Sequence, residues 1–150
     1  MKLLLALLLI PVLVLFAACG QAAEPSDNGA PADNGSVASV TLSQEDIDAA
    51  RQVVYDYWDA CNAYDPEAAI ACLEDSYRQI READIPGEIA QMQGAGVQLG
   101  VEEEAEPVVT ADGTVLIQIK LDVPIMADRH IIYEVVEVDG AWKICDSEEL

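Results

Sequence analysis

The sequence predicts an α+β domain in which three N-terminal helices pack on a four-stranded antiparallel sheet. Three observations predict it. Across the first half, apolar residues recur at helical spacing, as in Ile47, Ala50, Val54, Tyr57, Trp58 and Cys61. From Val97 onward the period becomes two, the spacing of a strand with one covered face. Turn signals at Ala111-Asp112-Gly113 and Asp139-Gly140 divide that second half, so helices come first and a meander follows.

Ser43 opens the first helix as N-cap, with Asp46 three residues later in a variant of the capping box. The periodic run then extends for about five turns. At Asp65-Pro66-Glu67 the chain restarts. Asp65 caps, Pro66 suits the first helical position, and Glu67 favours the positive helix end. This second helix is short and is expected to end near Glu74. A third helical stretch runs from Ser76 towards Gln93, broken at Ile85-Pro86 and ended by Gly94 and Gly96.

Strands are expected over about 97–109, 114–126, 130–138 and 141–146. The Asp139-Gly140 hairpin sets Val138 against Ala141, Val135 against Ile144 and Glu137 against Trp142. A three-residue loop at Ala127-Asp128-Arg129 would set Ile125 against Ile131 and Val123 against Tyr133. One at 111–113 would set Val101 against Val123 and Glu103 against Leu121. A two-residue turn at 127–128 would move one strand's apolar set to the other face, which excludes it. The expected inner face carries Val97, Leu99, Val101, Val115, Ile117, Ile119, Leu121, Val123, Ile125, Ile131, Tyr133, Val135, Trp142 and Ile144.

Two stretches carry a resemblance: Asn62-Ala63-Tyr64-Asp65-Pro66-Glu67-Ala68 closing an aromatic-rich first helix, and Val138-Asp139-Gly140-Ala141-Trp142-Lys143-Ile144 at the end. With them, residues 43 to 146 resemble the nuclear transport factor 2-like (cystatin-like) superfamily. The resemblance implies a cone, a curved antiparallel sheet wrapped on helices. It is most similar to small secreted lipoproteins of that superfamily. Other members are isomerases, dehydratases, polyketide cyclases, and non-catalytic binding or partner modules, and fold does not choose among them.

Enzymes of the superfamily keep acid–base residues inside the cone. The inward polar residues here are Glu103, Tyr133 and Glu137, joined by Tyr55 or Tyr57 from the first helix. Glu103 has two readings. On an apolar face its pKa would rise and suit a general base, with Tyr133 or Tyr57 as partner. On an edge strand, an inward charge blunts sheet-to-sheet association, which is the favoured role. His130, the only histidine, falls outward at a strand start and is expected to be solvated. Glu102, Glu104 and Glu106 share the outer face at about 7 Å spacing, wide for shared metal ligation. A solvated edge is expected there, and weak calcium association is the alternative.

The N-terminus points to an address. Met1 and Lys2 precede an apolar run from Leu3, interrupted by Pro11, that closes on Leu15-Phe16-Ala17-Ala18-Cys19-Gly20. Such a layout is that of a secretory signal over residues 1–18. Its end resembles the lipobox of bacterial lipoproteins, with Phe16 where Leu is usual. The resemblance implies that Cys19 carries a diacylglycerol and becomes the mature N-terminus, placing the protein on the extracytoplasmic face of a cell membrane. Residues 19–42 follow as a tether of Ala, Pro, Ser, Gly, Asp and Asn that cannot bury enough apolar surface to fold. As a coil, its 19-residue stretch 21–39 would span roughly 25 Å. The folded domain is assigned to 43–150.

Charge excludes some partners. Lys2 leaves with the signal, so six cationic residues face 28 acidic ones and the formal charge moves from −21 to −22. Nucleic acid is excluded, since phosphate binding needs clustered Lys and Arg, and anionic lipid would be repelled. Of four cysteines, the lipid takes Cys19, leaving Cys61, Cys72 and Cys145. Cys61 and Cys72 flank the turn between the first two helices and are the candidate disulfide, with Cys145 free. Neither a Cys-x-x-Cys pair nor a second histidine is present, so structural zinc and thioredoxin-type chemistry are not expected. No metal or other cofactor is expected.

Taken together, the residues favour a non-enzymatic module binding a small apolar ligand or a partner protein. The alternative is an isomerase- or dehydratase-like enzyme using acid–base residues inside the cone. Homodimerisation through Ile132, Val136 and Val138 on the outer sheet face is a third reading.

Overall fold

Ser43 caps the first helix as foreseen. Its side chain accepts from the Asp46 backbone N–H, while Asp46 Oδ2 accepts from the Ser43 backbone N–H at 3.0 Å. The computed structural model describes residues 40–124 and 126–150. The signal segment 1–18, Cys19, the tether through Ser39, and Ile125 lie outside the described residues. Among the described residues no helix is long and apolar enough to cross a membrane.

Four helices precede the sheet, where three were expected: α1 (Gln44–Asn62), α2 (Pro66–Ala71), α3 (Asp75–Arg81) and α4 (Ile85–Ala95). Helix α1 buries Ala50, Val53, Val54, Tyr57, Trp58, Ala60 and Cys61, one stripe at helical spacing. Asp65 caps α2 through the Ala68 N–H, with Pro66 in its first turn. The α2 helix stops at Ala71 instead of running to Glu74. There the backbone is claimed by the sheet: Ile144 donates to the Cys72 carbonyl at 3.0 Å, and Glu74 donates to the Ile144 carbonyl at 2.8 Å. The expected third helix is two. Its break falls before Ile85, leaving Pro86 in the first turn of α4, where its missing N–H costs nothing. Gly96 ends α4 at φ 63, and Gly94 lies inside the helix.

The sheet has five strands, β1 (Gly100–Glu103), β2 (Val108–Val109), β3 (Val115–Asp122), β4 (Arg129–Val138) and β5 (Ala141–Glu149), all antiparallel. Their order is β1-β3-β4-β5, and β2 also pairs with β3. The single strand expected over 97–109 is therefore two short ones, separated by a stretch containing Pro107, which has no N–H to give a ladder. Asn62 spans the gap between helix and sheet, donating to the Leu99 carbonyl at 2.9 Å and accepting from the Leu99 N–H at 2.8 Å.

Register is confirmed at one end and corrected at the other. Val138 faces Ala141, Glu137 faces Trp142 and Val135 faces Ile144, across a turn with Asp139 at φ 51 and Gly140 at φ 80. Tyr133, however, faces Ile117 and not Val123, and Ile131 faces Ile119 and not Ile125. Val101 faces Leu121 and Glu103 faces Ile119, two residues from expectation. The β3–β4 loop is longer than three residues because β3 stops at Asp122. The inner face survives these slips: Val115, Ile117, Ile119, Leu121, Val135 and Ile144 are fully buried, with Ile131 and Tyr133 nearly so. Together with α1, Ala69, Leu73, Ile85 and Ile89 they form one core.

One irregularity was not foreseen. Glu134 faces Asp146 while Val135 faces Ile144, so Cys145 is an extra residue in β5. Beyond it the faces exchange, and Ser147 comes opposite the inward Tyr133.

Candidate functional site

Between α1, α3, α4 and the bulged half of the sheet lies a cavity of about 470 Å³. Its apolar wall is Leu73, Ile85 and Ile131, with the rings of Tyr57, Trp58 and Tyr133. Tyr57 stands edge-on to Trp58 at 5.2 Å between centroids and tilted against Tyr133 at 6.3 Å. Two of the three candidates named from sequence are thus brought together here.

The polar part of the lining comes from α3, α4, the start of β4 and the end of β5. Tyr77 and Ser147 share a 2.6 Å hydrogen bond between hydroxyls, a contact that exists because the bulge turned Ser147 inward. Arg81 on α3 grips both carboxylate oxygens of Glu88 on α4, at 3.0 and 3.1 Å. Arg129 on β4 pairs with Glu149 on β5 as a fork, its Nε donating to one carboxylate oxygen at 2.7 Å and its Nη2 to the other, whereas Arg81 reaches both oxygens from Nη2 alone. All four charged groups line the cavity. Two of the chain's four arginines therefore sit at one site of a strongly acidic protein.

Burial sets the chemistry. It pushes the Tyr133 phenol well above its ordinary value of 10, helped by Tyr57 and Tyr77 nearby. Burial raises Tyr57 as well, with the Cys61 thiol adding to it. Both phenols stay protonated at neutral pH and can donate. The Trp58 indole N–H is buried without a hydrogen-bond partner; it stands near enough to Tyr133 to favour the phenolate, yet closes no bond. The two lining carboxylates are both held by arginine, and Arg129 keeps Glu149 below the usual carboxylate range. The cavity is thus equipped with neutral donors and committed acids. It can hold an acceptor, and its carboxylates are not poised as bases.

Glu103 lies elsewhere. From edge strand β1 it accepts from Arg51 of α1 at 2.6 and 3.1 Å, and it does not line the cavity. Glu137 is exposed beside the hairpin. Tyr55 is half-buried and also off the lining. His130 is on the outer face as expected, with Nδ1 2.8 Å from a Glu104 carboxylate oxygen. The remaining acids of the run have partners too. Glu102 meets Lys120 at 2.6 Å and Glu106 approaches Arg51 at 3.7 Å, so Glu106 leaves the outer row assigned to it. Among the described residues no group of His, Cys, Asp or Glu is placed to hold a metal ion.

The bridge expected between Cys61 and Cys72 is not made: Cys61, Cys72 and Cys145 are all free thiols. Cys61 is buried in α1, where burial pushes its thiol up to about 12. Cys72 sits at the end of α2 with Sγ turned back on the Ala68 carbonyl at 3.5 Å. On the outer face Ile132 and Val136 are half-buried and Val138 is exposed. A second, shallower hollow of about 450 Å³ lies between α1 and the hairpin, where Lys143 Nζ donates to the Ala71 carbonyl at 2.6 Å.

Most of the cavity's polar lining was missed from sequence. Tyr77, Arg81 and Glu88 lie on helices without a strong apolar stripe, and Ser147 and Glu149 were beyond the expected end of the last strand. The one available signal was scarcity, since each arginine in so acidic a chain has a restricted set of places to be.

No protein-family model matches the chain. No curated protein matches it. Among solved structures, Aln2 from a Streptomyces species superposes with a TM-score of 0.56 at 15% identity, over 73% of this chain and 92% of Aln2. At that identity the likeness concerns the fold: helices packed against one face of an antiparallel sheet.

Proposed function

We propose that this chain is an extracytoplasmic lipoprotein, anchored in a membrane through Cys19, whose domain is a nuclear transport factor 2-like cone that binds a small, largely apolar molecule without turning it over. One observation carries the binding reading: the 470 Å³ cavity walled by Tyr57, Trp58, Tyr133, Leu73, Ile85 and Ile131. That volume is in the range of small-molecule sites, and the aliphatic and aromatic wall faces a polar side made of Tyr77, Ser147 and the two Arg–Glu pairs, so a ligand meets both kinds of surface. The pairing of the acids disfavours turnover. Glu103, the base of the enzymatic alternative, is spent on Arg51 outside the cavity, and Glu88 and Glu149 are spent on Arg81 and Arg129. The anchor reading rests on the signal-like N-terminus and the small residues before Cys19.

Native mass spectrometry of the protein taken from its host membrane tests the binding reading. A reproducible added mass on the folded domain is expected, lost when Ile131→Trp fills the cavity. A clean apo mass would sink it and turn attention to partner proteins.

A further inference from the structure

The cavity contains an unexplained feature. Trp58 Nε1 is a buried donor with no partner, on a side chain only 8% exposed. Buried donors are nearly always paired in folded proteins, because an orphaned one has given up its water without a replacement. Beside it stands the Tyr133 hydroxyl, on a residue 5% exposed and close enough for the indole to favour its phenolate. Both residues line the cavity. An unpartnered indole N–H beside a neutral phenol, both on residues lining an open volume, defines a place for an oxygen.

We propose that the cavity takes a neutral, largely apolar ketone or ester, whose carbonyl oxygen accepts from the Trp58 indole N–H and the Tyr133 hydroxyl. The inference rests on the binding reading above and narrows it to a ligand class. A carbonyl oxygen offers two lone pairs and brings no donor that would itself need a partner. A hydroxyl ligand would bring one, and the lining carboxylates that could receive it are already held by Arg81 and Arg129. An anion is disfavoured for a related reason. Each lining arginine is neutralised by its own glutamate, so a ligand carboxylate would lose water without gaining a free cation, within a chain of net charge −21. Both phenols remain protonated at neutral pH, as a donor to a carbonyl requires.

Three probes of one shape separate the possibilities: 2-acetylnaphthalene, 2-ethylnaphthalene and 2-naphthoate. They are titrated into the ¹⁵N-labelled chain from residue 19 onward, carrying Cys19→Ser so that no lipid is attached. The readouts are the dissociation constants and the Trp58 indole N–H resonance, assigned against Trp142→Phe. The ketone is expected to bind about tenfold tighter than the hydrocarbon and to move the Trp58 indole proton downfield. Tyr133→Phe should remove much of that advantage, and the indole shift of the unsubstituted chain stands as evidence independent of that variant's folding. Equal binding of ketone and hydrocarbon with an unmoved indole overturns the carbonyl class and leaves the binding reading intact. Tightest binding by naphthoate overturns it in favour of an anion site. Binding by none of the three overturns both.

Discussion

The bulge at Cys145 makes a sharp prediction about two hydroxyls. Were β5 regular past Ile144, Ser147 would face away from the helices and could not meet Tyr77. With the extra residue it does, at 2.6 Å between Tyr77 and Ser147 oxygens in a half-buried setting. A neutral hydrogen bond of this kind contributes about 1 kcal/mol net. Tyr77→Phe and Ser147→Ala should each lower stability by about that amount, and the double variant by barely more than either. The coupling read from the cycle is then about 1 kcal/mol, well outside the additivity of independent sites. Urea melts of the four proteins at neutral pH supply it, provided the slope of free energy against urea is shared. Additivity within about 0.3 kcal/mol would refute the reasoning. It would mean that the strand runs straight and that Ser147 and Glu149 leave the cavity.

Other expectations follow from single contacts. Glu103→Gln breaks a forked pair with Arg51 that is about four-fifths buried at Glu103 (19% side-chain exposure), so stability should fall by about 1–2 kcal/mol in the same melts while native mass spectra keep the ligand; loss of ligand at unchanged stability would place Glu103 in the site after all. The Cys61 thiol is protonated in the folded chain up to about 12, against an ordinary value of 9.0. A raised folded value contributes stability that is complete below pH 9 and is lost as pH climbs towards 12, so melts should weaken across that window and Cys61→Ala should flatten part of the slope. Asp46 is the opposite case. Its value lies below 3.8 because Ser43 donates to it, so its contribution is present above that pH and lost as acid protonates it, and Asp46→Asn should soften the acid limb. Finally, Cys19→Ser should release the protein from membranes into the soluble fraction; retention with unchanged processing would defeat the lipid anchor.

What the sequence disclosed and what it hid have a common physical cause. Caps and two-residue turns are local, and their chemistry is written in adjacent residues. Ser43 with Asp46, Asp65 with Pro66, and Asp139 with Gly140 all stand as expected. Strand partners are distant, and the only sequence signal for them is which face a residue occupies. That signal has a period of two, so it cannot distinguish registers that differ by an even number. Tyr133 slipped by six residues, from Val123 to Ile117, and Val101 slipped by two, from Val123 to Leu121; Tyr133, Ile117, Val101 and Leu121 all remain at the core. An odd step is the kind alternation can reveal, but only where apolar residues continue past it. After Cys145 the chain reads Asp146-Ser147-Glu148-Glu149, all polar, and the step left no trace. The consequence falls on function more than on fold. The same unseen residue that preserved the core on one side of the bulge carried Ser147 and Glu149 inward on the other, where they hold Tyr77 and Arg129 at the cavity. Polar strand ends following an inward aromatic are therefore places where an α+β chain can build a site without a sequence signature. The buried donor of Trp58 belongs to the opposite class: its position on the α1 stripe was legible, but its lack of a partner depends on every other side chain around it.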